Sequence, residues 1–222
     1  MINTEGENVP SLGYMKSQPD INEKMRAILI DWLIEVHYKF KLLPETLYIT
    51  VNLLDRFLQS KPIKRQRLQL LGVTAMWIAC KYEEIYAPEI KDFVYITDNA
   101  YEQKDILDLE YEVLRTLGFN VTFPSPFRFL ERYAKLTNAD TKTFNLAWYL
   151  IELSLIEYKM LKYKPSLISS AALFVSLKIQ KKEVRWNDKM ASLNTFAIRK
   201  TRKNSLDHTN IVTYSEQSIR PC

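Results

Sequence analysis

The chain has 222 residues, a formal charge of +5 and 47% apolar residues, which suits one large packed domain or two of about 100 residues each. Four glycines, two cysteines (Cys80, Cys222) and two histidines (His37, His208) supply no phosphate-cradling loop, disulfide framework or metal cluster, so neither a metal nor a cofactor is expected. No charge-free run of 18 apolar residues occurs and the first 20 residues are polar, so the expectation is a soluble, intracellular protein with no membrane span or signal peptide.

Apolar residues recur with a helical period, and no segment alternates as a strand does. The first helix is capped by Asp20 or Asn22 and runs to about Lys41. It carries two apolar stripes, Met25, Ile28, Leu29 and Trp32 on one side and Ile30, Leu33, Ile34 and Tyr38 on the other. One stripe closes a core, and the other must be covered by more protein or left as a groove that holds a partner. Pro44 opens a second helix that ends near Ser60. The third, from about Lys64 to Ile85, is apolar on every side and is therefore expected to be the buried axle of a bundle. A short fourth helix covers residues 88–96, and a fifth covers residues 101–117 and is ended by Gly118.

The pattern then returns. Leu70-Leu71-Gly72-Val73-Thr74-Ala75-Met76-Trp77-Ile78-Ala79-Cys80-Lys81 matches, 97 residues later, the stretch that begins Leu167-Ile168-Ser169-Ser170 and ends Ser176-Leu177-Lys178. At the same offset Thr46, Leu53, Leu54, Asp55 and Leu58 become Thr143, Leu150, Ile151, Glu152 and Leu155, and Trp32-Leu33 becomes Phe129-Leu130. The chain thus reads as all-α, with two copies of a five-helix domain joined by Thr122-Phe123-Pro124-Ser125-Pro126. The expected boundaries are an N-terminal arm at 1–22, a first domain at 23–120 and a second at 121–222, divergent or truncated after about 186. There residues 187–213 lack a sustained apolar face where two further helices are due. The basic run Arg199-Lys200-Thr201-Arg202-Lys203 reads as a solvated tail, with a nuclear-import patch as the second reading.

Met25-Arg26-Ala27-Ile28-Leu29 with Asp31-Trp32, Asp55-Arg56-Phe57, Leu68-Gln69-Leu70, Lys81-Tyr82-Glu83-Glu84 and Glu110 together resemble a mitotic cyclin, and Asp20-Ile21-Asn22-Glu23-Lys24 looks B-type. The resemblance covers about residues 14 to 186 and is most specific in the first domain. It implies two tandem cyclin-fold domains, no catalytic residue, and a role as the activating subunit of a cyclin-dependent protein kinase in G2/M control, in nucleus and cytoplasm. It further implies that Lys81 donates to carbonyls beside the kinase's mobile C-helix and that Glu110 accepts from amides at that helix's start. Ile78, Tyr82, Leu114 and Phe119 are expected to form the apolar pocket around them. The surplus stripe of the first helix becomes a groove for Arg-x-Leu segments of substrates or inhibitors. In it Met25, Ile28, Leu29, Trp32 and Leu68 receive the leucine, Gln69 bonds the peptide backbone and Glu35 pairs with the arginine. Lys39, one turn beyond Glu35, opposes cationic peptides. Arg26, Asp55 and Lys81 are expected to form one structural charge cluster.

Two features depart from the family. The arm holds no Arg-x-x-Leu destruction signal, and Arg65-Gln66-Arg67-Leu68 fits those letters only at the start of the third helix. Residues 214–222 look like the opening of the fourth helix of domain two, after a stretch with no counterpart, as an insertion followed by truncation gives. The rival readings are a cyclin-fold module of the transcription-factor kind, binding nucleic acid or protein, and a truncated variant that binds kinase without activating it. Nucleic acid is disfavoured, because a DNA-binding version has no need of the Met25-Arg26-Ala27-Ile28-Leu29, Lys81-Tyr82-Glu83-Glu84 and Glu110 set.

Overall fold

The computed structural model describes Glu5 and residues 8–181, and the expectations placed on residues 187–222 lie outside them. The described residues hold eight α-helices, three 3₁₀ turns and no strand. They divide into two units, the first running to Ser125 and including Leu155–Lys162, the second taking Pro126–Ser154 and the described residues from Tyr163 on. The division falls at Ser125 instead of residue 120, and the arm belongs to the first unit instead of standing apart. None of the described helices is long and apolar enough to cross a membrane.

Helix α1 (Glu23–Phe40) starts where the Asn22 side chain accepts the Met25 amide at 3.0 Å, and it stops where Lys41 turns left-handed at φ 54°. Asp20, the other candidate cap, accepts the Arg65 amide at 2.8 Å and so ties the arm to the approach of the third helix. Of the two stripes, the one through Ile30 and Leu33 enters the core. Tyr38 does not join it: it is 80% exposed, while His37 beside it is buried and Phe40 packs edge-on against Phe93, so this face of α1 points to solvent here.

Helix α2 (Pro44–Ser60) uses Pro44 at its first turn, where no amide is needed. Helix α3 (Leu68–Glu83) follows a 3₁₀ turn at Arg65–Arg67, so Leu68 begins the helix and is buried. Eleven of its sixteen residues are buried, which makes it the axle of the first unit. Helices α4 (Ile90–Ile96) and α5 (Gln103–Thr116) both begin two residues later than the periodicity suggests. In each a capping box decides the start, Glu89 with Asp92 and Glu102 with Asp105. Gly72 lets α1 approach α3: a Cβ there would lie 2.9 Å from Leu29 Cδ1.

The second unit takes α6 (Pro126–Thr137), most of α7 (Thr141–Ile156) and α8 (Pro165–Ile179). Helix α8 begins 97 residues after α3, and α7 begins 97 residues after α2. Its core is built from Phe129, Leu130, Tyr133, Ala147, Leu150, Ile151, Ala172 and Leu173.

Candidate functional site

The buried charges of the first unit fix where α1, α2 and the arm stand. Arg26 of α1 meets Asp55 of α2 in a two-pronged pair, Nε to Oδ1 and one terminal nitrogen to Oδ2, both at 2.7 Å. Both side chains are 1% exposed. The other terminal nitrogen donates to the Leu155 and Ile156 carbonyls at 3.0 and 3.3 Å. The Tyr14 hydroxyl donates to Asp55 at 2.6 Å, and the Tyr158 hydroxyl accepts the Gly13 and Met15 amides. Burial works against the charge on Arg26, but Asp55 and the hydrogen bonds between them more than offset it and raise the guanidinium's pKa. Burial, then the nearby Asp55 carboxylate, push the Tyr14 phenol far up, so it stays a donor. Lys81 is not a member of this cluster. The other partner of Asp55 is Tyr14, and α3 aims Lys81 at Glu110 of α5 instead.

At the end of α3 Lys81 pairs with Glu110 Oε1, while the Trp77 indole N–H donates to Glu110 Oε2 at 2.9 Å. The ammonium also lies over the Trp77 ring, 4.8 Å from its centroid. The exposure is uneven: the Glu110 side chain is 10% exposed and that of Lys81 41%. A carboxylate so buried needs fixed donors, and the half-exposed ammonium keeps N–H bonds to offer outward. Tyr82 is exposed, with its hydroxyl 2.8 Å from Thr122 Oγ1; Phe119 stands out at 66% exposure after a left-handed turn, and Leu114 is half-buried. Ile78 is buried in the core and forms the floor beneath this rim, not part of its surface, because it points inward one turn before Lys81. The sequence reading passed over Trp77 as one more apolar residue of a buried helix. The signal for it is the i, i+4 spacing to Lys81 on one helix face.

The surplus stripe of α1 forms an open groove of about 410 Å³ lined by Met25, Ile28, Leu29, Trp32, Leu68, Gln69 and Arg65. Ile28 is 60% exposed, so the described arm leaves this face uncovered. Leu29 and Leu68 make its buried floor. Glu35 is exposed one turn beyond and does not line the groove, whereas Arg65, not anticipated, does. The expected acidic end is therefore matched by a basic residue at the wall.

Cys80 is fully buried and burial raises its pKa, which keeps it a thiol. His37 is buried with Nε2 2.9 Å from the Leu43 carbonyl, and burial lowers its pKa. Among the described residues no group of three His, Cys, Asp or Glu side chains is placed to hold a metal ion.

The family model for the cyclin N-terminal domain matches residues 1–122, and that for the cyclin C-terminal domain matches residues 124–222. The second match runs past residue 186, where the sequence reading let the resemblance stop. Among curated relatives, "Cyclin-B2-1" of Oryza sativa subsp. japonica is 53% identical over 163 residues, 73% of this chain and 39% of that protein. "G2/mitotic-specific cyclin-B2" of Oryzias latipes is 53% identical over 157 residues, 71% of this chain and 41% of that protein. "G2/mitotic-specific cyclin-1" of Medicago sativa subsp. varia is 43% identical over 218 residues, 98% of this chain and 47% of that protein. The chain spans less than half the length of these three relatives. A viral cyclin from herpesvirus saimiri superimposes with a TM-score of 0.81 at 18% identity, covering 96% of this chain and 91% of that one. The yeast RNA Pol II CTD kinase CTDK-1 complex contains a chain that superimposes with a TM-score of 0.66 at 17% identity, covering 93% of this chain and 72% of that one. At such identities the likeness is one of fold.

Proposed function

The chain belongs to the cyclin family, and we propose that it is a regulatory subunit that binds and activates a cyclin-dependent protein kinase in G2/M control, acting in nucleus and cytoplasm. It contributes no chemistry of its own. The observation that carries this reading is the Lys81–Glu110 pair at the junction of α3 and α5, rimmed by Tyr82, Leu114 and Phe119. Ammonium and carboxylate side by side, framed by exposed apolar side chains, suit the exposed backbone ends of a partner helix. Lys81 donates to its free carbonyls and Glu110 accepts from its free amides, each a charge-assisted bond. Removal of Tyr82 and Phe119 from water supplies the apolar part. Docking shifts the kinase toward the conformer in which its Lys–Glu pair and activation loop are ordered. The names of the relatives as G2/mitotic-specific cyclins support the cell-cycle phase.

The groove on α1 serves as a second surface for Arg-x-Leu segments of substrates or inhibitors. The leucine enters between Ile28 and Trp32 and the arginine faces Glu35. Lys39 and Arg65 temper the affinity for strongly basic segments. The test is to add the full chain to an inactive, monomeric cyclin-dependent kinase and follow histone phosphorylation, with a Lys81→Ala/Glu110→Ala variant alongside. The expected result is activation by the native chain and its loss in the double variant. Binding without activation identifies a non-activating cyclin, and no binding rejects the kinase assignment.

A further inference from the structure

We infer that Trp77 is a positioning residue for kinase docking: its indole N–H pins the Glu110 carboxylate in place so that Lys81 is free to turn toward the partner. This rests on the kinase-docking reading above. Glu110 is buried and its two oxygens are divided, Oε2 taking the indole N–H at 2.9 Å and Oε1 taking Lys81. The two donors differ in mobility. Lys81 is half-exposed on a flexible stem, whereas the Trp77 ring is wedged edge-on against Phe93 with centroids 5.6 Å apart, and Phe93 is itself fully buried against Phe40. If Lys81 alone held Glu110, its departure would strand a buried carboxylate, which is costly. With the indole fixed in position, Glu110 keeps one charge-assisted bond and its orientation, and lone pairs on both oxygens stay open to amides from outside. The same ring offers its face to the ammonium 4.8 Å away, which gives Lys81 a resting place when no partner is bound.

The repeat supplies a ring without the N–H. At the position 97 residues on, Phe174 receives Lys178 over its face at 5.2 Å, so phenylalanine fits this helix position and keeps the stacking. Trp77→Phe is therefore expected to fold and to remove only the indole donor. The experiment has two arms on the full chain. In 15N spectra the indole signal lost in Trp77→Phe identifies Trp77 among the four tryptophans, and in Glu110→Gln that signal is expected to move, because its acceptor changes from charged to neutral. In calorimetric titration of a monomeric cyclin-dependent kinase, Trp77→Phe is expected to bind about tenfold more weakly than the native chain, the scale of one charge-assisted bond. It should add almost nothing in a Glu110→Gln background. Native-like affinity in Trp77→Phe, an indole signal indifferent to Glu110→Gln, or an equal loss in both backgrounds overturns the positioning role. Failure of the native chain itself to bind, with the indole signal still moving, overturns the kinase reading on which the role rests.

Discussion

The third helix of each unit carries one sequence pattern, and its lysine meets different neighbours in the two units. In the first unit α3 presents Lys81 over Trp77, and α5 supplies Glu110 to both. In the second unit α8 presents Lys178 over Phe174 in the same i, i+4 stack, with a ring that has no N–H to donate. The stacked lysine is thus a property of the repeated helix, and in the first unit it is also paired with a buried carboxylate. A second contrast lies where the first helix crosses the third. Gly72 admits Leu29 to the face of α3, while its counterpart Ser169 donates its hydroxyl to the Pro126 carbonyl and, at 2.9 Å, to the Pro165 carbonyl. A third concerns buried charge. Asp55 has Arg26, whereas 97 residues after Arg26 stands Phe123, ahead of α6, and the Asp55 counterpart Glu152 has its pKa raised by burial, against the opposing influence of Trp148.

The largest effect expected from breaking this contrast is at Arg26. Arg26→Ala strands the Asp55 carboxylate, and urea unfolding should show a loss of about 3–5 kcal/mol. Glu152→Gln in the second unit removes no such pair and should cost less than about 1 kcal/mol, since a carboxyl with a raised pKa loses little by neutralisation. Gly72→Ala forces Leu29 aside and should destabilise by about 1–3 kcal/mol, with weaker binding of an Arg-x-Leu peptide because Leu29 floors the groove. Ser169→Ala removes only a hydroxyl at the matching crossing and should cost only about 1 kcal/mol by the same urea measurement.

The smallest effect is with pH. The His37 pKa is lowered by burial, so the unfolded chain binds this proton more tightly. The stability contributed is complete above the unfolded value near ~6.5 and is lost as pH falls below it, at no more than about 1.4 kcal/mol per pH unit. Urea midpoints between pH 7.5 and 5 should fall more steeply for the native chain than for His37→Gln.

Much of this architecture is legible in the sequence because one physical cause dominates it. Periodic burial places α1, α2, α3 and the 97-residue repeat, and a helix apolar all round has nowhere to sit but the centre of a bundle. Helix starts are less legible where side chains decide them. Glu89 and Glu102 cap α4 and α5 by reciprocal bonds with Asp92 and Asp105, which hydrophobic spacing does not register. The site was legible as motifs but not as geometry. Spacing alone does not say that Lys81 pairs with Glu110 and not Asp55, that Tyr14 of the arm bonds Asp55, or that Tyr38 is exposed and Ile78 buried. Those outcomes depend on which helix lies opposite, and that is set by tertiary packing. Arg65 joins the groove for the same reason, since the 3₁₀ turn before α3 brings it to the wall.

In the proposed complex the kinase contact is made by Lys81 with Glu110, and the repeated Lys178 makes none. Calorimetric titration of a monomeric cyclin-dependent kinase into the native chain, Lys81→Ala and Lys178→Ala tests it most directly. Loss of at least about tenfold in affinity for Lys81→Ala, with Lys178→Ala indistinguishable from native, is the predicted result. Equal losses at the two lysines, or none at Lys81, would contradict it.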